Sequence, residues 1–105
     1  MLLNLLLLLP LLLNQHIDIS VSPSSGFELL PVVVKLKLAE PTEVDICIHF
    51  NADGAQWDSC FDGRLDQLNY EKKYKLDAGN YQIWASTKDA QSIKRPVTVL
   101  ESDHP

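Results

Sequence analysis

Two cysteines, Cys47 and Cys60, have the clearest chemical potential of any residues in this chain of 105 residues. In an oxidising compartment a pair at this spacing can close a short loop, which stabilises a fold by roughly 3 kcal/mol on the chain-entropy estimate. The alternative is two unpaired thiols near a loop, because spacing along a chain does not establish proximity. The sequence thus predicts a Cys47–Cys60 disulfide, with free thiols as the alternative.

The histidines show no recognisable metal-binding or catalytic pattern. His16, His49 and His104 are scattered, and neither a Cys-x-x-Cys nor a His-x-x-x-His spacing is present. His49 falls on the polar face of a predicted strand with no carboxylate at a useful spacing, so we interpret it as a surface residue without a catalytic role. We expect no catalytic residue, no metal site and no cofactor.

The segment 51–69 is the least regular part of the sequence. It contains turn glycines and four spaced carboxylates: Asp53, Asp58, Asp62 and Asp66. Calcium needs six or more converging oxygens, and the EF-hand order of ligands is missing, so a solvated acidic loop is favoured over a calcium site. Trp57 and Phe61 are expected to pack this loop onto the body of the protein, whereas an exposed aromatic patch would indicate a contact surface.

Composition limits the domain count and the partners. The length predicts a single domain. The formal charge of -5, from nine basic and fourteen acidic side chains, argues against nucleic acid as a partner, because phosphate binding requires a basic face.

The amino terminus, residues 1–16, is predicted to be an apolar leader. Residues 5–13 are leucines interrupted by Pro10, which matches the hydrophobic region of a signal peptide and falls short of the ~20 residues that span a bilayer. No basic residue precedes the run and no small-residue cleavage site follows it. An export signal or its remnant is therefore favoured, with an uncleaved anchor or a gene-model artefact as the alternatives.

Residues 17–101 are predicted to form an all-β domain, followed by a tail at 102–105. Short alternating apolar runs are separated by turn residues, which is typical of a sandwich and not of βαβ units. The predicted strands cover residues 17–21, 32–38, 44–50, 70–76, 81–86 and 93–100, and 51–69 adds a hairpin or loop. In the strand at 44–50, Val44, Ile46, Ile48 and Phe50 share one face, and Cys47 and His49 lie on the other.

The segment 76–86 predicts a tight corner that leads a tyrosine into a strand. Gly79 can adopt a positive φ, and Tyr81 can bury its ring while its hydroxyl bonds to upstream backbone, as in the tyrosine corner of immunoglobulin-like domains. Trp84 falls on the outside of this strand, where it is either covered by neighbouring side chains or part of a contact surface. We therefore expect an immunoglobulin-like β-sandwich of about seven strands in two antiparallel sheets.

Taken in order, these features resemble a PKD domain, the immunoglobulin-like module of polycystins and of other secreted or cell-surface proteins. The resemblance covers residues 17–101 and depends on Pro31 with the apolar strand after it and on these blocks: 21–26, 48–54, 74–86 and 97–99. The block 74–86, with Tyr74, Gly79 and Tyr81, carries it most strongly. The family's aromatic-Asp-Phe-Gly-Asp-Gly signature is altered here, since Ile48 replaces the aromatic residue and His49 the acid.

The resemblance implies an extracellular, non-catalytic module that acts as a spacer, an adhesive surface or a force-bearing link. Its partners would be a protein or glycan at the cell surface, and neighbouring domains within a larger chain. One alternative is a carbohydrate-binding accessory module that uses Trp57, Phe61 or Trp84. Another is a small secreted enzyme or inhibitor, which requires a pocket lined by titratable groups. We expect no enzymatic activity, because the sequence shows no nucleophile paired with a base.

Overall fold

The computed structural model describes residues 16–102, which form eight β-strands. The strands are β1 (Ile17–Ser22), β2 (Ser25–Phe27), β3 (Leu30–Leu38), β4 (Asp45–Ala52), β5 (Ala55–Asp62), β6 (Asn69–Leu76), β7 (Gly79–Ser86) and β8 (Arg95–Leu100). Within 16–102 no helix is long and apolar enough to cross a bilayer. The predicted leader, apart from His16, lies outside the described residues, as does 103–105 of the predicted tail.

The strands form two sheets that pack as an immunoglobulin-like sandwich. One sheet has the order β1-β3-β6 and the other the order β2-β8-β7-β4-β5. The predicted fold class is thus confirmed, with eight strands in place of about seven. The expectation of purely antiparallel sheets is wrong at one pair, because β2 runs parallel to β8. After β1 the chain crosses from the first sheet to the second, and the short β2 adds to the edge of the second sheet beside β8.

The core lies between the sheets and follows from strict alternation along the strands. In β3 every second residue is buried, and β4 and β7 repeat the pattern from the opposite sheet. The largest fully buried side chains are Phe50, Ile46, Ile48, Ile83, Val32, Val34 and Val97. Removing each such side chain from water contributes about 1.5–3 kcal/mol, so a one-residue slip of register is strongly disfavoured.

Two predicted strands, those at 44–50 and 93–100, begin one or two residues later than expected. Val44 was expected to face the core, but it precedes β4 and is 39% exposed. The chain still bends at residues 43–44, although the Val44 carbonyl already accepts a hydrogen bond from Gly63 N–H (3.1 Å) in register with the β4–β5 pairing. Likewise β8 begins at Arg95 and not at Ile93, which is 62% exposed. The Ser92 hydroxyl donates to the Ile93 carbonyl (2.8 Å) and holds this segment outside the strand.

The segment expected to be irregular, 51–69, begins instead with a tight hairpin between β4 and β5. Ala52 pairs with Ala55, so Asp53 and Gly54 form a two-residue loop. Their φ values are +52° and +92°, the positive values that type I′ hairpin turns require. Asp-Gly between two strands is a strong hairpin signal, and it determines which residues of β4 and β5 lie side by side.

The predicted corner is present between β6 and β7. The Tyr81 hydroxyl donates to the Asp77 carbonyl oxygen (2.7 Å), and its ring is buried in the core. Gly79 has a φ of +157°, and a Cβ atom built there would lie 3.4 Å from both Asp53 Oδ2 and the Tyr81 ring. A side chain at position 79 is therefore strained by the backbone, and the corner ties the β6–β7 connection to the start of β7.

The free energy of unfolding is expected to fall as the pH rises above about 10, the ordinary pKa of tyrosine. Burial raises the pKa of both Tyr74 and Tyr81, and the carboxylates of Asp77 and Asp53 raise the pKa of Tyr81 further. The folded protein thus holds these protons more tightly than the unfolded chain does. The stabilisation that these two tyrosines contribute is fully present below their pKa in the unfolded chain. It is lost as the pH rises through their pKa in the folded protein.

Urea unfolding followed by circular dichroism at neutral and alkaline pH measures this loss. The Tyr81→Phe variant is expected to lose less stability over the same alkaline range, because it lacks one of the two hydroxyls whose pKa folding raises. An equal loss in the variant and the wild type would contradict the assignment to Tyr81.

Candidate functional site

A cluster of six side chains lies on the outer face of the five-stranded sheet, the face directed away from the core. These residues, called the outer cluster below, form two rows across β7, β4 and β5: Ser86, Cys47 and Cys60, and then Trp84, His49 and Asp58. In β4 and β7 these residues alternate with buried ones, and Asp58 and Cys60 on β5 pair directly with His49 and Cys47, so all six lie on the solvent side.

The first row contains the predicted disulfide between Cys47 and Cys60, which is confirmed. The two residues are direct cross-strand partners with Cα atoms 4.0 Å apart. The bond therefore joins two strands of one sheet and does not connect the two sheets. At the position where immunoglobulin domains place the second cysteine of their inter-sheet bridge, two residues after the corner tyrosine, this chain has the buried Ile83.

The second row contains a hydrogen-bonded histidine. His49 Nδ1 lies 2.6 Å from Asp58 Oδ1, and His49 Nε2 lies 2.6 Å from Ser86 Oγ. The expectation that His49 has no carboxylate within reach is thus wrong, as is the expectation that the chain has no hydroxyl paired with a base. Asp58 was missed because the prediction of a hairpin or loop at 51–69 gives no register to this segment, whereas the hairpin pairs Asp58 directly with His49.

The sequence contained one signal for this pairing. Counting outward from the Asp53-Gly54 turn pairs residue 52 with 55, residue 49 with 58 and residue 47 with 60. The partner Ser86 had no such signal, because it reaches His49 through the long-range pairing of β4 with β7.

The hydrogen bonds of His49 favour one arrangement of its protons. A carboxylate only accepts, so Nδ1 carries the proton that it donates to Asp58, and the neutral ring then has a free lone pair at Nε2. The Ser86 hydroxyl can donate to that lone pair. This is the hydrogen-bond order of Ser-His-Asp nucleophilic sites, in which the imidazole acts as the base.

Trp84 covers one face of this histidine. Its ring stacks on the His49 ring with centroids 5.2 Å apart and an interplanar angle of 25°. The ammonium of Lys94 lies 4.6 Å from the centroid of the Trp84 ring. Trp84 is accordingly half-buried, and the structure favours the first of its two predicted roles, a tryptophan covered by its neighbours.

Trp57 and Phe61 lie on the opposite face of the same sheet from Trp84. Trp57 pairs with Phe50 and stacks on it (5.3 Å between centroids, 6° between planes), yet 43% of it is exposed at the edge strand β5. Phe61 is half-buried against Tyr70 and lies under the ammonium of Lys72 (4.3 Å). The three aromatic residues proposed as a contact surface therefore do not form a single surface.

An exposed apolar pair that the sequence pattern does not indicate lies at the other edge of this sheet. Phe27 and Leu100 are partners in the parallel β2–β8 pair and are 59% and 52% exposed. The predicted strands leave residues 22–31 unassigned, and the three residues of β2 are too few for an alternating pattern to be visible.

A cavity of about 490 Å³ lies at the start of β1, and none of the six outer-cluster residues lines it. Its lining includes His16, Ile17, Ile19, Gln91 and Arg95. No cluster of three or more His, Cys, Asp or Glu side chains within 16–102 is placed to hold a metal ion. The acidic side chains of 51–69 therefore do not converge on a common point in the described part of the chain.

No family model matches this sequence, and no curated protein matches it significantly.

Proposed function

We propose that this chain is a structural or interaction module of an extracellular protein, of the PKD type that its sequence resembles. The observation that carries the proposal is a sandwich that combines a tyrosine corner with a disulfide. Structural disulfides persist in oxidising compartments, so the Cys47–Cys60 bond supports an extracellular location. The sheet order and the corner support kinship with immunoglobulin-like modules, whose usual role is to present surfaces to proteins or glycans.

The rigidity of the domain fits a role as spacer or contact surface. The two sheets bury a continuous apolar core, and the β4–β5 hairpin is fixed both by its ladder and by the disulfide. A rigid scaffold of this kind presents side chains with little loss of conformational entropy on binding. Neighbouring domains and cell-surface proteins are the partners that this role implies.

Expression of the tagged full-length chain in a cell with a secretory pathway tests the proposal. We expect the product in the medium or on the cell surface, with both cysteines protected from alkylation until a reductant is added. Intact mass before and after reduction then reports the disulfide, and the mass of the exported product shows whether the leader is removed. A product retained in the cytosol with two alkylatable thiols would contradict the extracellular assignment.

A second function, carbohydrate binding, is favoured by the exposure of Trp57. Tryptophan at an exposed edge can offer a flat apolar surface to a sugar ring, and Phe61 lies on the same face of β5. We expect Trp57→Ala to abolish any glycan-array signal of the recombinant protein. Trp84→Ala is the matched control and should retain that signal, because Trp84 is covered by His49 and Lys94. An array without signal for the wild-type protein would remove this function.

A further inference from the structure

We propose that Ser86 is a nucleophile that takes an acyl group from activated esters, with His49 as its general base. The proposal is independent of the binding role above and departs from the expectation that the chain has no enzymatic activity. It depends on two hydrogen bonds of 2.6 Å each, one between Ser86 and His49 and the other between His49 and Asp58. Such distances are those at which a base removes a proton from an attacking hydroxyl.

The three side chains are held by the regular part of the fold. Ser86, His49 and Asp58 lie on β7, β4 and β5, three adjacent strands of one sheet. The side chain of His49 is only 17% exposed, since Trp84 stacks on its ring. In the next row the Cys47–Cys60 bond fixes the spacing of the two strands that carry His49 and Asp58. Functional groups on rigid elements keep a productive geometry better than groups on loops.

Asp58 is a positioning residue in this site. Its carboxylate accepts the proton of Nδ1, which keeps the lone pair of Nε2 directed at Ser86. When the imidazole takes up a second proton during the reaction, the same carboxylate stabilises the resulting positive charge. Asp58 therefore acts through His49 and does not itself bond to the substrate.

The reaction balances without any cofactor. Ser86 Oγ attacks the carbonyl carbon of the ester while its proton passes to His49 Nε2. The tetrahedral intermediate then collapses, the bond from the carbonyl carbon to the leaving oxygen breaks, and that oxygen takes the proton from Nε2 to depart as an alcohol. Water, deprotonated by the same imidazole, then attacks the acyl carbon. The bond from that carbon to Ser86 Oγ breaks, Oγ takes back the proton from Nε2, and the carboxylic acid is released.

The open position of the site defines the substrate class. Ser86 and His49 lie on the outer face of a sheet, and neither lines the cavity at the start of β1. An ester carried on a large molecule can approach such a face, whereas a small molecule would not be enclosed. On an open face, water solvates the negative charge that develops on the carbonyl oxygen. The site therefore lacks the rate gain of about 10²–10³ that an enclosed hydrogen-bond donor to this oxygen provides. We accordingly expect it to react with activated esters such as aryl esters.

A fluorophosphonate probe and an aryl acetate test the proposal on the oxidised full-length protein. We expect covalent labelling at Ser86, located by peptide mass spectrometry, and a burst of phenol from the aryl acetate. Ser86→Ala should abolish both signals. His49→Gln should slow them by about 100-fold or more, the usual contribution of a general base. Ser22→Ala, an exposed serine on β1, is the matched control and should react like the wild type.

Two results would overturn the assignment of Ser86. One is the absence of labelling on Ser86 in the wild-type protein, and the other is equal labelling of the His49→Gln variant. The first result needs no variant, so it stands even where a substitution impairs folding.

The role of Asp58 is tested separately by Asp58→Asn. An asparagine amide can donate to Nδ1, which moves the ring proton to Nε2 and removes the lone pair that faces Ser86. We expect the ¹⁵N NMR shifts of His49 to report this change of tautomer, together with slower labelling and an unchanged thermal unfolding transition. An unchanged tautomer, or labelling as fast as in the wild type, would overturn the positioning role.

Discussion

Replacement of Phe50 by alanine is expected to lower the free energy of unfolding by about 3–5 kcal/mol, because it deletes a fully buried ring. Phe50 lies on β4, which is hydrogen-bonded to β7 on one side and to β5 on the other. Its ring contacts two other aromatic rings. It stacks on Trp57 (5.3 Å between centroids) and meets Tyr74 edge-on (4.9 Å). The substitution therefore leaves a cavity and also removes the support of Trp57 at the edge of the sheet.

Thermal and urea unfolding measure the effect. A domain of this size loses roughly 4–8 °C in melting temperature per kcal/mol, so Phe50→Ala should lower the melting temperature by at least about 12 °C. Phe27→Ala is the matched control, since this phenylalanine is 59% exposed and its truncation should change the free energy of unfolding by less than about 0.5 kcal/mol. Equal effects of the two substitutions would mean that Phe50 is not at the centre of the core.

The sequence alone predicts the strands in which apolar and polar residues alternate. The alternation of Ile46, Ile48 and Phe50 with polar residues is visible in the sequence, and the structure buries all three. Tyr81 was equally accessible to prediction, because its hydrogen bond to Asp77 spans only four residues. Local patterns of this kind need no knowledge of which distant strands pair.

The candidate site depended on information that is not local. His49 and Ser86 are 37 residues apart and meet through the pairing of β4 with β7. Nothing in the residues around Ser86 identifies His49 as its partner, since the diagonal contact requires the exact register of the two strands. Asp58 differs, because the Asp53-Gly54 turn alone places it opposite His49. Recognising that turn would have predicted the pairing of His49 with Asp58, but not the contact of His49 with Ser86.

The position of the disulfide links the stability of the domain to the outer cluster. In immunoglobulin domains the conserved bridge crosses the core, whereas here the Cys47–Cys60 bond lies on the outer face beside His49 and Asp58. The core at Ile83 is closed by apolar packing alone. The bond therefore fixes the β4–β5 hairpin, the element that carries two of the three hydrogen-bonded residues of the site.

Removing this bond, by the double substitution Cys47→Ala and Cys60→Ala, is expected to lower the free energy of unfolding by about 3 kcal/mol. The cysteines are 13 residues apart, and closing a loop of that length removes conformational entropy of this size from the unfolded chain. The folded state should keep its sheets, because β4 also pairs with β7 and the core does not depend on the bond.

Urea unfolding of the wild type with and without a reductant, beside the double variant, measures the effect and supplies its own control. The reduced wild type should approach the stability of the double variant, and the reductant should have no effect on that variant. The far-ultraviolet circular dichroism spectrum should stay β-rich in all three samples. A double variant as stable as the oxidised wild type would show that the ladder alone holds the hairpin. A loss of the sheets at low urea would show instead that the apolar core around Ile83 cannot support the sandwich without the bond.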